Sequence, residues 1–180
     1  MRIIELQAFK FSELKPEIQE KVLDEHRYIN TETYDYTDGD WMNEELKEIG
    51  LSCDMKKICF DLYRGEFEFG SSLSIEDEQK FMFSILSAEE KLRYALENKF
   101  RDVDLSIGRT GRVGIEDCSN NETETDYSDF EERYNNLIES YEHKFLKALR
   151  EEEDYLTSDE SIKDTIESND YEFEENGERI

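Results

Sequence analysis

One long helix pattern, from Glu122 to Glu160, constrains the fold of this chain more than any other feature. Apolar residues recur in it at steps of four, three, four, four and four, which keeps them on one helix face. We call this set the aromatic stripe; it comprises Phe130, Tyr134, Leu137, Tyr141, Phe145 and Leu149. The other face is mostly Asp and Glu. Because aromatic residues at helical spacing usually face a core, we expect most of the stripe to be buried.

The predicted helix is long for a chain of 180 residues. About 38 residues at ~1.5 Å each span roughly 57 Å, whereas the radius of gyration expected for this chain length is about 16 Å. We therefore expect part of the helix to pack on a partner, and a homodimer is one such arrangement.

The composition favours a folded protein despite its high charge. Hydrophobic residues make up only 36% of the chain, but aromatic residues make up 12%, with 11 Phe and 10 Tyr. A disordered acidic chain would be poor in aromatic residues. The only proline is Pro16 and there is no Gly- or Ser-rich linker, so we predict a single domain over residues 1–180.

The charge balance excludes several kinds of partner. The chain has 48 acidic and 22 basic residues, a net charge of −26. Nucleic acids and anionic membrane surfaces repel such a protein. Its expected partners are cations or proteins with basic surfaces, although solubility or adaptation to salt would also explain the charge.

The cysteines and the apolar segments predict a cytoplasmic protein. Cys53, Cys59 and Cys118 are odd in number and have no CxxC spacing. We see no signal-peptide pattern and no apolar segment of the ~18 residues that a membrane span needs. The cysteines are therefore expected to be reduced.

Four or five helices are expected. Ser12 is the expected cap of the first, Trp41 to Ile49 form the second, and Ser74 is the expected cap of a third that reaches about Phe100. A break near Ser87 and Ala88 would divide that third helix in two. After the long helix, residues 157–160 have the pattern of a new cap, followed by a short helix that ends at Asn169.

The strands are expected in antiparallel hairpins. Residues 57–64 alternate and lead through Gly65 to Phe67 and Phe69, and residues 103–107 turn through 108–111 into a returning strand. Weaker edge strands are expected at residues 3–9 and 171–173. We therefore predict an α+β fold in which antiparallel β-hairpins pack with four or five helices, including one long acidic C-terminal helix.

The sequence has little of the chemistry that an enzyme needs. The only histidines, His26 and His143, have no His or Cys at metal-ligand spacing, and no HExxH, CxxC or G-x-S-x-G motif occurs. Asp35, Asp38 and Asp40 only faintly resemble a calcium loop, which leaves weak divalent-cation binding open. We expect no catalytic residue, no metal site, no cofactor and no enzymatic activity.

Residues 108–114 are the one glycine-rich stretch with basic residues, Arg109 and Arg112. They lack the Gly-Lys-Ser/Thr ending of a phosphate-binding loop. A hairpin turn explains them more simply.

The long helix alone is too sparsely charged to imitate DNA. Residues 122–160 hold 14 acidic and 4 basic residues, hence a net charge of −10, or one charge per ~6 Å of helix against about one per 1.7 Å in duplex DNA. Residues 116–180 hold 23 acidic and 6 basic residues, hence −17. Imitation of DNA is therefore expected only of a folded surface to which the whole tail contributes.

Several stretches along the chain carry a resemblance. They are residues 11–14 (FSEL), 20–21 (EK) and 26–30 (HRYIN), residues 57–65 (KICFDLYRG), and residues 153–160 (EDYLTSDE) and 164–173 (DTIESNDYEF). These resemble the opening, the central hairpin and the tail of small acidic proteins encoded by bacteriophages and prophages, some of them labelled antitoxin-like. The resemblance implies a phage origin and the cytoplasm of a host bacterium, and it carries over no catalytic residue.

Charge and resemblance together predict a counter-defence inhibitor. It would bind a basic nucleic-acid-binding protein of the host, such as a CRISPR effector or a restriction enzyme, through an acidic surface. The alternative is an antitoxin-like or regulatory protein that sequesters one protein partner through the aromatic stripe. The residues predicted to bind the partner are Glu131, Glu132, Glu139, Glu142, Glu151, Glu152, Glu153 and Asp154.

Overall fold

The computed structural model describes residues 7–38, 40–91, 103–118 and 127–180. The α-helices with defined bounds are α1 (Pro16–Glu25), α2 (Trp41–Lys47), α3 (Glu78–Ser84), α4 (Ser128–Leu156) and α5 (Asp159–Ser168). The strands are β1 (Phe9–Lys10), β2 (Leu51–Cys53), β3 (Cys59–Asp61), β4 (Glu66–Glu68), β5 (Leu73–Ile75), β6 (Val103–Ile107), β7 (Val113–Asp117) and β8 (Glu172–Phe173). They pair antiparallel as β1–β8, β2–β5, β3–β4 and β6–β7. The fold is α+β with small antiparallel sheets and one long C-terminal helix, which confirms the predicted class.

The chain divides into two compact units. The terminal unit comprises Met1–Tyr36 and Leu149–Ile180, and the central unit comprises Thr37–Ala148. Helix α4 contributes residues to both units. The single domain expected over residues 1–180 stays a prediction.

The terminal unit is built around an apolar core from both ends of the chain. Phe9 pairs with Phe173 where β1 meets β8, and α1 and α5 supply most of the remaining core residues. The buried set is Phe11, Leu14, Val22, Ile162, Ile166 and Phe173. Of the predicted N-terminal strand, Phe9 lies in β1, whereas Ile3, Ile4 and Leu6 lie outside the described residues.

The residues that begin and cap the helices of the terminal unit were predicted only in part. Pro16 is the first residue of α1, where its missing N–H costs nothing. The expectation that Ser12 caps this helix is wrong, because Ser12 lies in a separate 3-10 turn, Phe11–Glu13. The predicted cap of α5 is confirmed, since Ser158 Oγ accepts a hydrogen bond from Ser161 N at 3.2 Å.

Both predicted hairpins form in the central unit. Phe60 pairs with Phe67 across β3 and β4, and Leu105 pairs with Ile115 across β6 and β7. The pair β2–β5 was not predicted. Ser74 lies in β5 and does not cap α3, which corrects that expectation; Asp77 caps it, with Oδ1 accepting from Lys80 N at 2.9 Å.

The predicted break after α3 is confirmed. Helix α3 ends at Ser84 and residues 88–91 are helical again. Ser87 and Glu90 form a reciprocal cap, because Ser87 N donates to Glu90 Oε2 at 2.8 Å and Glu90 N donates to Ser87 Oγ at 3.3 Å. Phe100, the expected end of this segment, lies outside the described residues.

Helix α4 spans 29 residues, fewer than the predicted stretch, and ends at Leu156. Within the central unit Phe145 is fully buried and packs edge-to-face on Trp41, Phe67 and Phe69, with ring centroids 5.1–6.1 Å apart. Tyr134, Phe145 and Leu149 are buried, whereas Phe130, Leu137 and Tyr141 are half-buried. Three of the six residues of the aromatic stripe are therefore in the core, fewer than the majority that was expected.

Candidate functional site

The predicted partner-binding carboxylates all lie on α4, but they are divided between the two units. Four of them, Glu131, Glu132, Glu139 and Glu142, belong to the central unit. The other four, Glu151 to Asp154, belong to the terminal unit. Each group is therefore described within its own unit.

In the central unit the carboxylates line a groove of about 840 Å³. Its lining includes all four of the predicted glutamates on α4, together with Asn135 and Asn136 from the same helix. Glu68 and the turn between β6 and β7, with Arg109 and Arg112, complete it. Five glutamates and two arginines are therefore among the residues that line the groove.

Two of the groove glutamates are fixed by backbone hydrogen bonds. Glu131 Oε1 accepts from Ile115 N at 2.9 Å, and Glu142 Oε1 accepts from Phe69 N at 3.0 Å. Burial raises the pKa of Glu142, although the Phe69 N–H opposes the shift; the nearby charges of Glu68 and Glu139 raise the pKa further. Glu142 is therefore a half-buried carboxylate in a negative environment.

The remaining groove carboxylates are open to solvent. Glu132 and Glu139 are exposed, and no described basic side chain lies within ion-pair distance of either. Arg109 and Arg112 are also exposed, and among the residues that the structure describes no carboxylate is paired with them. The groove thus presents uncompensated charge of both signs, with the negative sign in excess.

In the terminal unit two tyrosines lie near the acidic run, by which we mean residues Glu151 to Asp154. Tyr34 donates its hydroxyl hydrogen to Glu152 Oε1 at 2.9 Å. Burial raises the pKa of Tyr36, and the charges of Glu153 and Glu152 raise it further. Asp154 is exposed. No local sequence pattern indicates this grouping, since Tyr34 and Glu152 are 118 residues apart.

Five basic residues of the terminal unit are already paired with other carboxylates. Lys15 pairs with Glu175 at 2.9 Å, and Lys10 approaches both Asp170 and Glu172 at 3.3–3.5 Å. Further pairs join Arg27 to Asp24 and Asp159, Lys21 to Glu25, and Lys163 to Glu167. These cations are therefore used within the fold and leave Glu152, Glu153 and Asp154 uncompensated.

The residues considered for other chemistry are not brought together. Within the described part of the chain no group of three or more His, Cys, Asp or Glu residues is placed to hold a metal. His26 Nδ1 lies 2.9 Å from the Val22 carbonyl oxygen of its own helix. Cys53 is a buried free cysteine whose pKa burial raises to about 11, so its thiol stays protonated at neutral pH.

Comparison of the chain with protein-family models, with curated proteins and with solved structures found no match. A search of the described helices found none that is both long and apolar enough to cross a membrane.

Proposed function

We propose that this chain is a phage-encoded, non-enzymatic inhibitor that binds a basic nucleic-acid-binding protein of its bacterial host. A CRISPR effector or a restriction enzyme is the kind of target that fits. The inhibitor would occupy the basic channel in which the target holds nucleic acid. Such a complex forms fast and weakens steeply with salt.

One observation carries the proposal. Of the eight carboxylates predicted to bind the partner, all but Glu151 have no ion pair with a basic side chain in the described part of the chain. Surface carboxylates without a cation nearby are attracted to a partner that supplies one. The proposed target supplies many, because a nucleic-acid channel is lined with Lys and Arg.

The charge surplus is shared by both units. The central unit holds 27 acidic and 14 basic residues, and the terminal unit holds 21 and 8, so each has a net charge of −13. Either unit alone would therefore attract a basic surface. The resemblance to phage and prophage proteins supports the host context of the proposal.

The alternative, an antitoxin-like protein that binds through the aromatic stripe, has less support. Tyr134, Phe145 and Leu149 are buried, and Phe130, Leu137 and Tyr141 are half-buried. A partner could reach the three buried residues only by opening the core. The carboxylates on the same helix need no such rearrangement.

The test begins with affinity capture from a host lysate at low and at high salt, followed by competition. The captured protein is mixed with labelled DNA or RNA, and release of the nucleic acid on addition of this chain is measured by fluorescence anisotropy. We expect release at low salt that weakens as salt rises. A captured protein that keeps its nucleic acid at every salt concentration would contradict the proposal.

Matched charge reversals locate the surface. The site variant changes three exposed residues on α4 that have no ion pair among the described residues to Lys: Glu132, Glu139 and Asp154. The control variant changes three residues of the same kind elsewhere, again two in the central unit and one in the terminal unit: Glu66, Asp104 and Asp164. We expect the site variant to lose competition and the control to keep it. Equal loss in both would mean that total charge, and not this surface, drives binding.

A further inference from the structure

Two tyrosine rings are exposed beside the acidic run of the terminal unit. Tyr34 is 41% exposed and Tyr155 is 57% exposed. Two contacts hold Tyr34 in place. Its hydroxyl donates a hydrogen bond to Glu152, and its ring packs edge-to-face with Tyr36, with centroids 4.9 Å apart. An oriented aromatic ring that stays in solvent is typical of a surface that binds something.

The second ring is placed by helix geometry. Tyr155 follows Glu152 by three residues in α4, so the two side chains lie on one side of the helix. Tyr34 reaches the same side through its bond to Glu152. We call these three residues, Tyr34, Glu152 and Tyr155, the tyrosine–glutamate surface.

The chemistry of this surface favours one cation over others. A guanidinium group stacks on an aromatic face and pairs with a carboxylate through its planar fork, whereas an ammonium group is a strongly hydrated point charge. The terminal unit already contains one such contact, since Arg179 Cζ lies 3.4 Å from the centre of the Tyr171 ring. The fold therefore already includes a stacked arginine and tyrosine.

We infer that the tyrosine–glutamate surface is a docking site for arginine side chains that protrude from the basic partner. The inference rests on the proposed function and narrows it, because it names arginine, and not positive charge in general, as the group that is recognised. Charge complementarity brings the partner to this surface, and stacking on Tyr34 and Tyr155 distinguishes arginine from lysine.

The test measures binding of two labelled peptides, nona-arginine and nona-lysine, to the full chain at the same salt concentration. We expect the arginine peptide to bind about tenfold tighter, the effect of one or two exposed cation–π contacts. The double variant Tyr34→Leu/Tyr155→Leu should bring arginine affinity down to the lysine level and leave lysine affinity unchanged. The double variant Tyr34→Phe/Tyr155→Phe keeps both rings and should keep most of the preference.

Controls make each result decisive. Tyr63 is 98% exposed in the central unit, so Tyr63→Leu removes a free ring elsewhere and should change neither affinity. A circular dichroism spectrum like that of the wild type shows that the leucine variant is folded. The inference is overturned if the leucine variant still binds the arginine peptide more tightly than the lysine peptide. It is also overturned if the leucine variant loses affinity for both peptides equally. The salt-dependent competition described above would still stand in either case, so the two proposals fail separately.

Discussion

The guanidinium group of Arg133 donates to both carboxylate oxygens of Glu90, each at 3.1 Å. Glu90 Oε2 also accepts from Ser87 N at 2.8 Å, so this carboxylate closes a helix cap and holds α4 at once. The hydrogen bond from Arg133, followed by those from Ser87, lowers the pKa of Glu90 to about 2. Glu90 therefore stabilises the central unit by joining the helix that Ser87 caps to α4.

The first prediction concerns the pH dependence of this pair. The pKa of Glu90 is lowered in the folded state, so its contribution to stability is present above the ordinary value of 4.5 and is lost as pH falls toward about 2. We expect the side-chain carboxyl signal of Glu90 to titrate near pH 2 by NMR. In the variant Arg133→Gln the midpoint should rise toward 4.5. A wild-type midpoint between 4 and 5 would show that the pair does not form in solution.

The sequence predicted the elements whose signals are local. The hairpin β3–β4 was recognisable because alternation in residues 57–64 continues past Gly65, which adopts φ 77° at the turn. The pair β2–β5 was missed because no local turn joins its strands: Leu51 pairs with Ile75 across a long intervening segment. The existence of this pair depends on tertiary packing.

For the candidate site, the sequence predicted a set of carboxylates but not how they are arranged in space. Spacing placed eight carboxylates on one helix, but nothing local indicated that this helix contributes to two units. The bond from Tyr34 to Glu152 joins residues 118 apart. Contacts at such separation follow from the fold as a whole, so Tyr34 and Tyr155 had no sequence signal as surface partners of the acidic run.

The second prediction is that Asn30 holds the junction between α4 and α5. Its Nδ2 donates to the Leu156 carbonyl oxygen at 3.1 Å and to Ser161 Oγ at 2.9 Å, and its Oδ1 accepts from Thr165 Oγ1 at 2.7 Å. We expect Asn30→Ala to lower the free energy of unfolding by about 2 kcal/mol in urea titrations, because it leaves several partly buried groups unpaired. Asn136→Ala, at an exposed position of α4, is the control and should change it by less than about 0.5 kcal/mol.

The third prediction concerns Gly50, which has φ 79° after α2. A Cβ there would collide with the Asp77 carbonyl oxygen and lie 2.8 Å from Phe81 N. We expect Gly50→Ala to destabilise the protein by at least about 2 kcal/mol. Gly114→Ala is the matched control, since its Cβ would make only an ordinary contact with Ser106 Oγ at 3.4 Å. Equal thermal midpoints for the two variants would contradict this explanation.

The fourth prediction assigns a structural role to a residue of the aromatic stripe. Tyr134 is fully buried, and its hydroxyl donates to the Met82 carbonyl oxygen at 2.8 Å near the end of α3. That carbonyl lies in the last turn, where helix carbonyls need partners from outside the helix. We expect Tyr134→Phe to cost about 1–2 kcal/mol of stability, measured by urea unfolding. Tyr63→Phe, at an exposed position, should have no measurable effect.

The last prediction is that Glu142→Gln stabilises the protein at neutral pH. Burial raises the pKa of Glu142, and Glu68 and Glu139 raise it further, so the charged form is disfavoured in the folded state. Gln keeps an oxygen that can accept from Phe69 N, which the wild-type carboxylate does at 3.0 Å, and it removes the charge. The folded-state pKa of this acid is raised, so ionisation of Glu142 destabilises the folded state at pH values above that pKa. This destabilisation disappears as pH falls toward 4.5, the ordinary value.

Urea midpoints should therefore be higher for Glu142→Gln than for the wild type at pH 7 and equal at pH 4. Glu132→Gln, at an exposed position of the same groove, serves as the control and should leave the pH 7 midpoint unchanged. A lower midpoint for Glu142→Gln at pH 7 would mean that the charge strengthens the bond to Phe69 N by more than burial costs.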